Sequence, residues 1–164
     1  MEAKPKIAQL ADPKLQAGIE TIASILKAKG SQVWSVGPDA TVYEAIATMA
    51  DRRIGCLAVI FEGDLVGIVG ERDYARKVIL RGRSSRETLV RDIMSSPVIT
   101  VTPGHTVYDC LRIMSASRVR HVVVLDGGQI AGLVSIGDLV NSVLSMQAHT
   151  IDRLQTYIIN KYPE

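Results

Sequence analysis

Gly67-Ile-Val-Gly-Glu-Arg-Asp73 and, 65 residues further on, Gly132-Leu-Val-Ser-Ile-Gly-Asp138 are two versions of one pattern: an apolar run, a small residue, and an aspartate three positions later. The match extends without a gap over Ser35 to Ile79 against Thr100 to Leu144, and 13 of these 45 pairs are identical. Among them are Pro38/Pro103, Thr41/Thr106, Tyr43/Tyr108, Met49/Met114, Gly67/Gly132 and Asp73/Asp138. Many apolar positions that differ do so conservatively, as in Ile46/Leu111, Ile54/Val119 and Ile68/Leu133, so both halves meet the same packing demands. The chain is a tandem duplication.

Each copy reads β-α-β-β-α. A short β-branched run (Val33 to Val36; Val98 to Val101) leads through proline to Thr41-x-x-Glu44 or Thr106-x-x-Asp109, the capping-box spacing of a helix start. Val42, Ala45, Ile46 and Met49, and likewise Val107, Cys110, Leu111 and Met114, then recur at helical spacing. Cys56–Phe61 with Leu65–Val69, and Val122–Leu125 with Ile130–Val134, flank Gly-containing turns and predict hairpins. A second helix closes each unit, over about 71–80 and 136–146. Outside the copies, Ile7–Lys29 predicts a leading helix stopped by Gly30. Met146–Tyr162 carries Ile151, Leu154, Ile158 and Ile159 on one face of a trailing helix. Thr88 is placed to cap a short helix through Met94 in the linker. The expected division is 1–32 leading helix, 33–80 first repeat, 81–97 linker, 98–146 second repeat and 147–164 C-terminal helix.

Composition narrows the function. The 164 residues are 47% hydrophobic and 22% charged, ample for a buried core, and the longest apolar run, Cys56–Phe61, is far short of a membrane span. Charges through the first thirty residues leave no apolar signal-peptide core, and Cys56 and Cys110 lack metal-site spacing, so a cytoplasmic location with reduced thiols is expected. A net charge of +2 gives no bulk signature of nucleic-acid binding. No phosphate-loop, dinucleotide-fold or zinc-protease motif occurs, and Gly132-Leu-Val-Ser135-Ile-Gly137 misses the spacing of a hydrolase nucleophile elbow.

Chemistry therefore concentrates at the two aspartate patterns. Ser135 with Asp138 reads as a capping box, and Asp73 as a partner for a first-turn amide. The other reading is a ligand site, where unpaired helix amides attract phosphate and the carboxylate accepts from both hydroxyls of a ribose. Repetition of the pattern favours the second. The run Arg72, Arg76, Lys77, Arg81, Arg83, Arg86 and Arg91 carries a local +5 against Asp73 and Glu87. It reads as a solvated face, then as the lining of a polyphosphate cleft, then as weak nucleic-acid contact.

These residues resemble a tandem pair of cystathionine-β-synthase (CBS) domains, a Bateman module, over about Val33 to Met146. The resemblance implies an α/β fold in which the two repeats pack with pseudo-two-fold symmetry around two clefts for adenosyl nucleotides. It makes Asp73 and Asp138 the ribose carboxylates, with Ser135 at ribose or phosphate and Gly70 leaving extra room where the family has a hydroxyl. Arg120 and His121 would reach the phosphates in the Asp73 cleft; the first copy has Gly55 and Cys56 at the matching positions, so the Asp138 cleft would lack that cationic pair. Ser35 and Thr100 would line their own clefts, and Arg72 completes the candidate set. A partly buried strand-edge histidine is the competing reading of His121. The resemblance implies AMP, ADP or ATP, or NAD, as ligand, and a stand-alone, non-enzymatic sensor acting on an effector protein in trans. Half-disc association and the apolar tail point to a homodimer; the alternative function is a structural dimerisation module with vestigial clefts.

Overall fold

The computed structural model describes residues 6–7 and 20–161. In chain order the elements are β1 (Lys6–Ile7), α1 (Ile22–Lys29), β2 (Ser35–Val36), α2 (Val42–Arg52), β3 (Cys56–Phe61), β4 (Asp64–Gly70), α3 (Glu71–Lys77), β5 (Ile99–Val101), α4 (Val107–Ser117), β6 (His121–Asp126), β7 (Gln129–Ser135) and α5 (Ile136–Lys161). Single 3-10 turns lie at Ile79–Arg81 and Val90–Asp92. The α/β expectation holds, with β-α-β-β-α twice.

The duplication is visible bond by bond. One sheet runs β2-β3-β4 and the other β1-β5-β6-β7, each repeat having a parallel pair followed by an antiparallel hairpin. Both hairpins break register at the same place, Val59/Ile60 and Val124/Leu125. Their two-residue turns, Glu62-Gly63 and Gly127-Gly128, all have positive φ, which matches the right-handed strand twist. Both predicted capping boxes form: Thr41 with Glu44 and Thr106 with Asp109. Helices α2 and α4 each end on a left-handed arginine, Arg53 and Arg118.

The lead-in segment of each repeat packs on the other repeat. Ile22, Ile25 and Leu26 of α1 join the core of Val101, Val107, Met114, Val124 and Leu139, although α1 precedes the first copy. Val90, Ile93 and Met94 of the linker join the first copy's core of Val42, Met49, Leu57 and Val69. This exchange explains two of the identical glycines. A Cβ on Gly67 would lie 2.5 Å from Met94 Sδ, and one on Gly132 would lie 2.5 Å from Leu26 Cδ2, so both sheets need a bare backbone where the lead-in crosses.

Several element boundaries depart from expectation. Lys6–Ile7 is a strand parallel to β5, not the start of a helix, and α1 begins only at Ile22; residues 8–19 lie outside the described residues. Gly30 does stop α1, with φ of 92°. Thr88 caps no helix: its buried hydroxyl donates to the Ser84 carbonyl at 2.8 Å, and only one 3-10 turn follows. α5 does not break at Met146 but continues to Lys161. Ile151 is exposed on it, and the side chains of Leu154, Ile158 and Ile159 lie outside the described residues.

Candidate functional site

A cavity of about 360 Å³ opens where the two repeats face each other. From the first repeat it is lined by Gly55, Cys56, Gly70, Glu71, Arg72, Asp73, Arg76 and Lys77, from the linker by Ser95, and from the second repeat by Arg118, Val119, Arg120 and His121. Five of the nine predicted site residues therefore share one cavity: Gly70, Arg72, Asp73, Arg120 and His121.

Strand β4 delivers Asp73 by ending at Gly70, whose N–H donates to Asp73 Oδ2 at 3.1 Å. The other oxygen, Oδ1, accepts from Lys77 Nζ at 2.7 Å and from the Ser95 hydroxyl at 3.4 Å. Lys77 also donates to the Ile93 carbonyl at 2.6 Å. The glycine does not leave spare room, however. A Cβ on Gly70 would stand 3.0 Å from the Gly55 carbonyl oxygen and 3.4 Å from Cys56 Cβ, so a serine there would require the backbone entering β3 to give by a few tenths of an ångström. The first cleft has its hydroxyl from Ser95 instead.

Across the cavity, β6 starts at His121, the register partner of Ser135. Burial pushes its pKa below the ordinary 6.5; nearby Asp138 opposes that shift, while Lys29 and Arg120 reinforce it. The ring lies 3.6 Å from where a Cβ on Gly55 would stand, which places a bare backbone opposite it. Cys56 also lines the cavity, and burial raises its thiol to about 12, leaving it un-ionised and unreactive at neutral pH.

The second aspartate pattern forms the capping box that its sequence allows. Ser135 N–H and Oγ donate to Asp138 Oδ2 at 2.8 and 2.9 Å, and Asp138 N–H donates to Ser135 Oγ at 3.2 Å. A third donor was not foreseen: Lys29, the last residue of α1, reaches the same Oδ2 at 2.6 Å and the Leu133 carbonyl at 3.0 Å. Burial alone would raise the Asp138 pKa, but the bonds from Lys29 and Ser135 outweigh it and hold it below the usual carboxylate value. The second cleft is not without a cation; it has one already seated on its carboxylate.

Ser35 and Thr100 are not among the residues lining the cavity. Ser35 is exposed on β2, and Thr100 is fully buried in β5 beside its β1 partner Ile7. The basic run separates by role. Arg72, Arg76 and Lys77 line the cavity, whereas Arg83 pairs with Asp92, Arg91 with Asp39, and Arg86 stacks on Tyr43. Sequence reasoning missed Ser95, Arg118 and Lys29. Lys29 lies 65 positions before Met94, outside the matched stretch, and only the structure shows that each sits where a lead-in crosses a sheet. No group of three or more metal-ligating side chains occurs among the described residues, and none of their helices is long and apolar enough to cross a membrane.

Comparison with known proteins agrees with this architecture. The CBS domain family model matches residues 24–79 and 90–145. The chain is 39% identical to the mitochondrial CBS domain-containing protein CBSX3 of Arabidopsis thaliana, over 90% of this chain and 77% of that protein. A solved protein with CBS domains from Burkholderia ambifaria MC40-6 superposes with TM-score 0.75 at 48% identity, covering 76% of this chain and 94% of that one. The CBS domain pair of protein MJ0100, solved with 5'-methylthioadenosine and S-adenosyl-L-methionine, shares the fold at TM-score 0.69 and 22% identity, covering 78% of this chain and 98% of that one. With the family model matching twice, on the two halves of the duplication, the chain belongs to the CBS-domain family and carries a CBS domain pair.

Proposed function

We propose that this CBS pair is a non-enzymatic regulatory module that binds an adenosyl nucleotide, AMP, ADP, ATP or NAD, between its repeats and signals occupancy to an effector protein in trans. The observation that carries this reading is the shared cavity, with the Asp73 carboxylate on one repeat and Arg120 and His121 on the other. Asp73 would accept from the ribose diol, and Arg120 with His121 would take the first phosphate, so a ligand must touch both repeats to be fully bound. The adenosyl ligands in the MJ0100 pair support the choice of nucleoside. Buried reduced cysteines are compatible with a cytoplasmic location.

Hydrogen bonds to a charged carboxylate contribute roughly 1.5–3 kcal/mol, or about ten- to a hundredfold in affinity. Asp73→Ala should weaken AMP binding by that factor in calorimetry, and Asp138→Ala should leave this cleft almost unaffected. Unchanged affinity in Asp73→Ala would reduce Asp73 to a backbone cap.

A second reading, association through α5, has its own observation. Ile136, Val140, Leu144 and Ile151 are 42%, 44%, 57% and 55% exposed on that helix, an apolar set that water does not favour. We assign it to a homodimer contact, compatible with nucleotide binding.

A further inference from the structure

The charges that line the first cleft exceed what a nucleoside monophosphate can use. Five cations, Arg72, Arg76, Lys77, Arg118 and Arg120, face two carboxylates, Glu71 and Asp73, which leaves +3 with His121 neutral. Lys77 is committed to Asp73 and to the Ile93 carbonyl. The four arginines are not: none has an ion pair or a side-chain hydrogen bond among the described residues. Arg83, Arg91 and Arg112 pair elsewhere with Asp92, Asp39 and Asp109, and among the described residues Arg53 and Arg81 are unpaired outside the cavity; what marks the cleft is that four unpaired arginines gather in it. Like charges gathered in one concavity repel one another, and an anion that enters relieves the repulsion and forms charge-assisted hydrogen bonds together.

The number of arginines sets how much negative charge that anion carries. Arg120, next to His121, belongs to the subsite already assigned to the first phosphate. Arg72 and Arg76 are one helical turn apart on α3, and Arg118, on the left-handed residue that ends α4, comes from the opposite repeat. A monophosphate carries about −1.5 to −2 at neutral pH, which Arg120 and one further arginine would neutralise. Each added phosphoryl group brings about one more negative charge, so a triphosphate approximately doubles that value.

We infer that the first cleft is built for a nucleoside polyphosphate, a triphosphate in preference to a monophosphate, with Arg72, Arg76 and Arg118 holding the distal phosphoryl groups between the two repeats. The inference rests on the adenosyl-nucleotide reading of this cleft and selects among its ligands. It involves binding only, with no bond made or broken.

The test is calorimetry on the full chain with adenosine, AMP, ADP, ATP and inorganic tripolyphosphate, repeated on Arg76→Ala/Arg118→Ala. ATP should bind at least tenfold more tightly than AMP, and tripolyphosphate should compete with ATP. The double variant should lose at least five times more affinity for ATP and tripolyphosphate than for AMP. Because both arginines are exposed, its melting temperature without ligand should stay within a few degrees of wild type, and Arg76→Lys/Arg118→Lys should retain part of the ATP preference. Equal affinity for AMP and ATP in the wild type, or an equal loss of both in the double variant, overturns the polyphosphate subsite while leaving the adenosyl reading standing. Binding of tripolyphosphate without any response to adenosine or AMP does the reverse. No binding of any of the five refutes both.

Discussion

Replacing Lys29 with methionine removes one ammonium and leaves the rest of the residue nearly intact, so it isolates the contact between α1 and the second repeat. Lys29 and Asp138 are 35% and 25% exposed, and their 2.6 Å contact is neither fully buried nor a loose surface pair. A charge-assisted bond contributes roughly 1.5–3 kcal/mol in a protected setting and less when water screens it, so a loss of ~1–2 kcal/mol is expected at neutral pH. For a chain of this size that lowers the melting temperature by about 2–8 °C. The pH dependence gives the sharper result. Asp138 titrates below its ordinary 3.8 in the folded state, so its contribution is fully present above that value and is lost as pH falls through the folded pKa. Urea denaturation of wild type and Lys29→Met should therefore differ by a constant amount from about pH 5 to 8 and converge in more acid solution. A difference that persists unchanged at pH 3 would mean that methionine disturbs packing, and no difference at pH 7 would mean that the ion pair holds nothing.

Gly132→Ala should cost about 1–3 kcal/mol through the clash with Leu26, and Gly67→Ala less, because the flexible Met94 can move aside; equal losses in urea titrations would contradict this account. The His121-dependent part of AMP affinity, taken by calorimetry as the difference between wild type and His121→Ala, should already be falling below pH 6.5 as pH rises, since burial lowers the pKa of the unliganded ring. Leu144→Glu together with Ile151→Glu should shift the chain to monomer in light scattering at micromolar concentration; an unchanged mass would move any contact off α5.

Local pattern made most of the fold legible. Thr41-x-x-Glu44, Thr106-x-x-Asp109, the two glycine turns and the alternation of apolar runs act over a few residues, and each formed where its spacing placed it. The misreadings share one cause. Lys6–Ile7 pairs with β5 more than ninety positions away, and buried Thr88 accepts at its carbonyl from the Val42 N–H at 2.9 Å, so tertiary contacts decided both against local propensity. For the site, Asp73 was readable because its pattern recurs at Asp138, whereas Arg120 and His121, which face the unlike Gly55 and Cys56 in the repeat match, were readable only through the resemblance to CBS pairs. Ser95 and Lys29 were not, because neither lies in the matched stretch and both arrive through the exchange of lead-ins. Gly70 shows a different limit: its missing hydroxyl was legible, but the Gly55 carbonyl that crowds its Cβ position was not.

That exchange also links the clefts to the joints between the repeats. Ser95 and the Ile93 carbonyl, which engage Asp73 and Lys77, sit in the linker that leads into the second repeat. Lys29, which engages Asp138, ends the helix that leads into the first. A ribose taking both oxygens of either aspartate would compete with a group carried by a lead-in segment, Ser95 at Asp73 and Lys29 at Asp138, and a ligand moves an equilibrium only as far as its affinity differs between the two arrangements. The two clefts differ in what must be displaced. The Ser95 bond is long at 3.4 Å and Lys77 belongs to the same helix as Asp73, so the first cleft can admit a ligand with little rearrangement. In the second, Oδ2 of Asp138 already accepts from three donors, one of them a lysine whose helix is fixed in the core by Ile22, Ile25 and Leu26. On this geometry a ligand would reach the Asp73 carboxylate at less cost than that of Asp138, whose bond to Lys29 ties α1 to the second repeat.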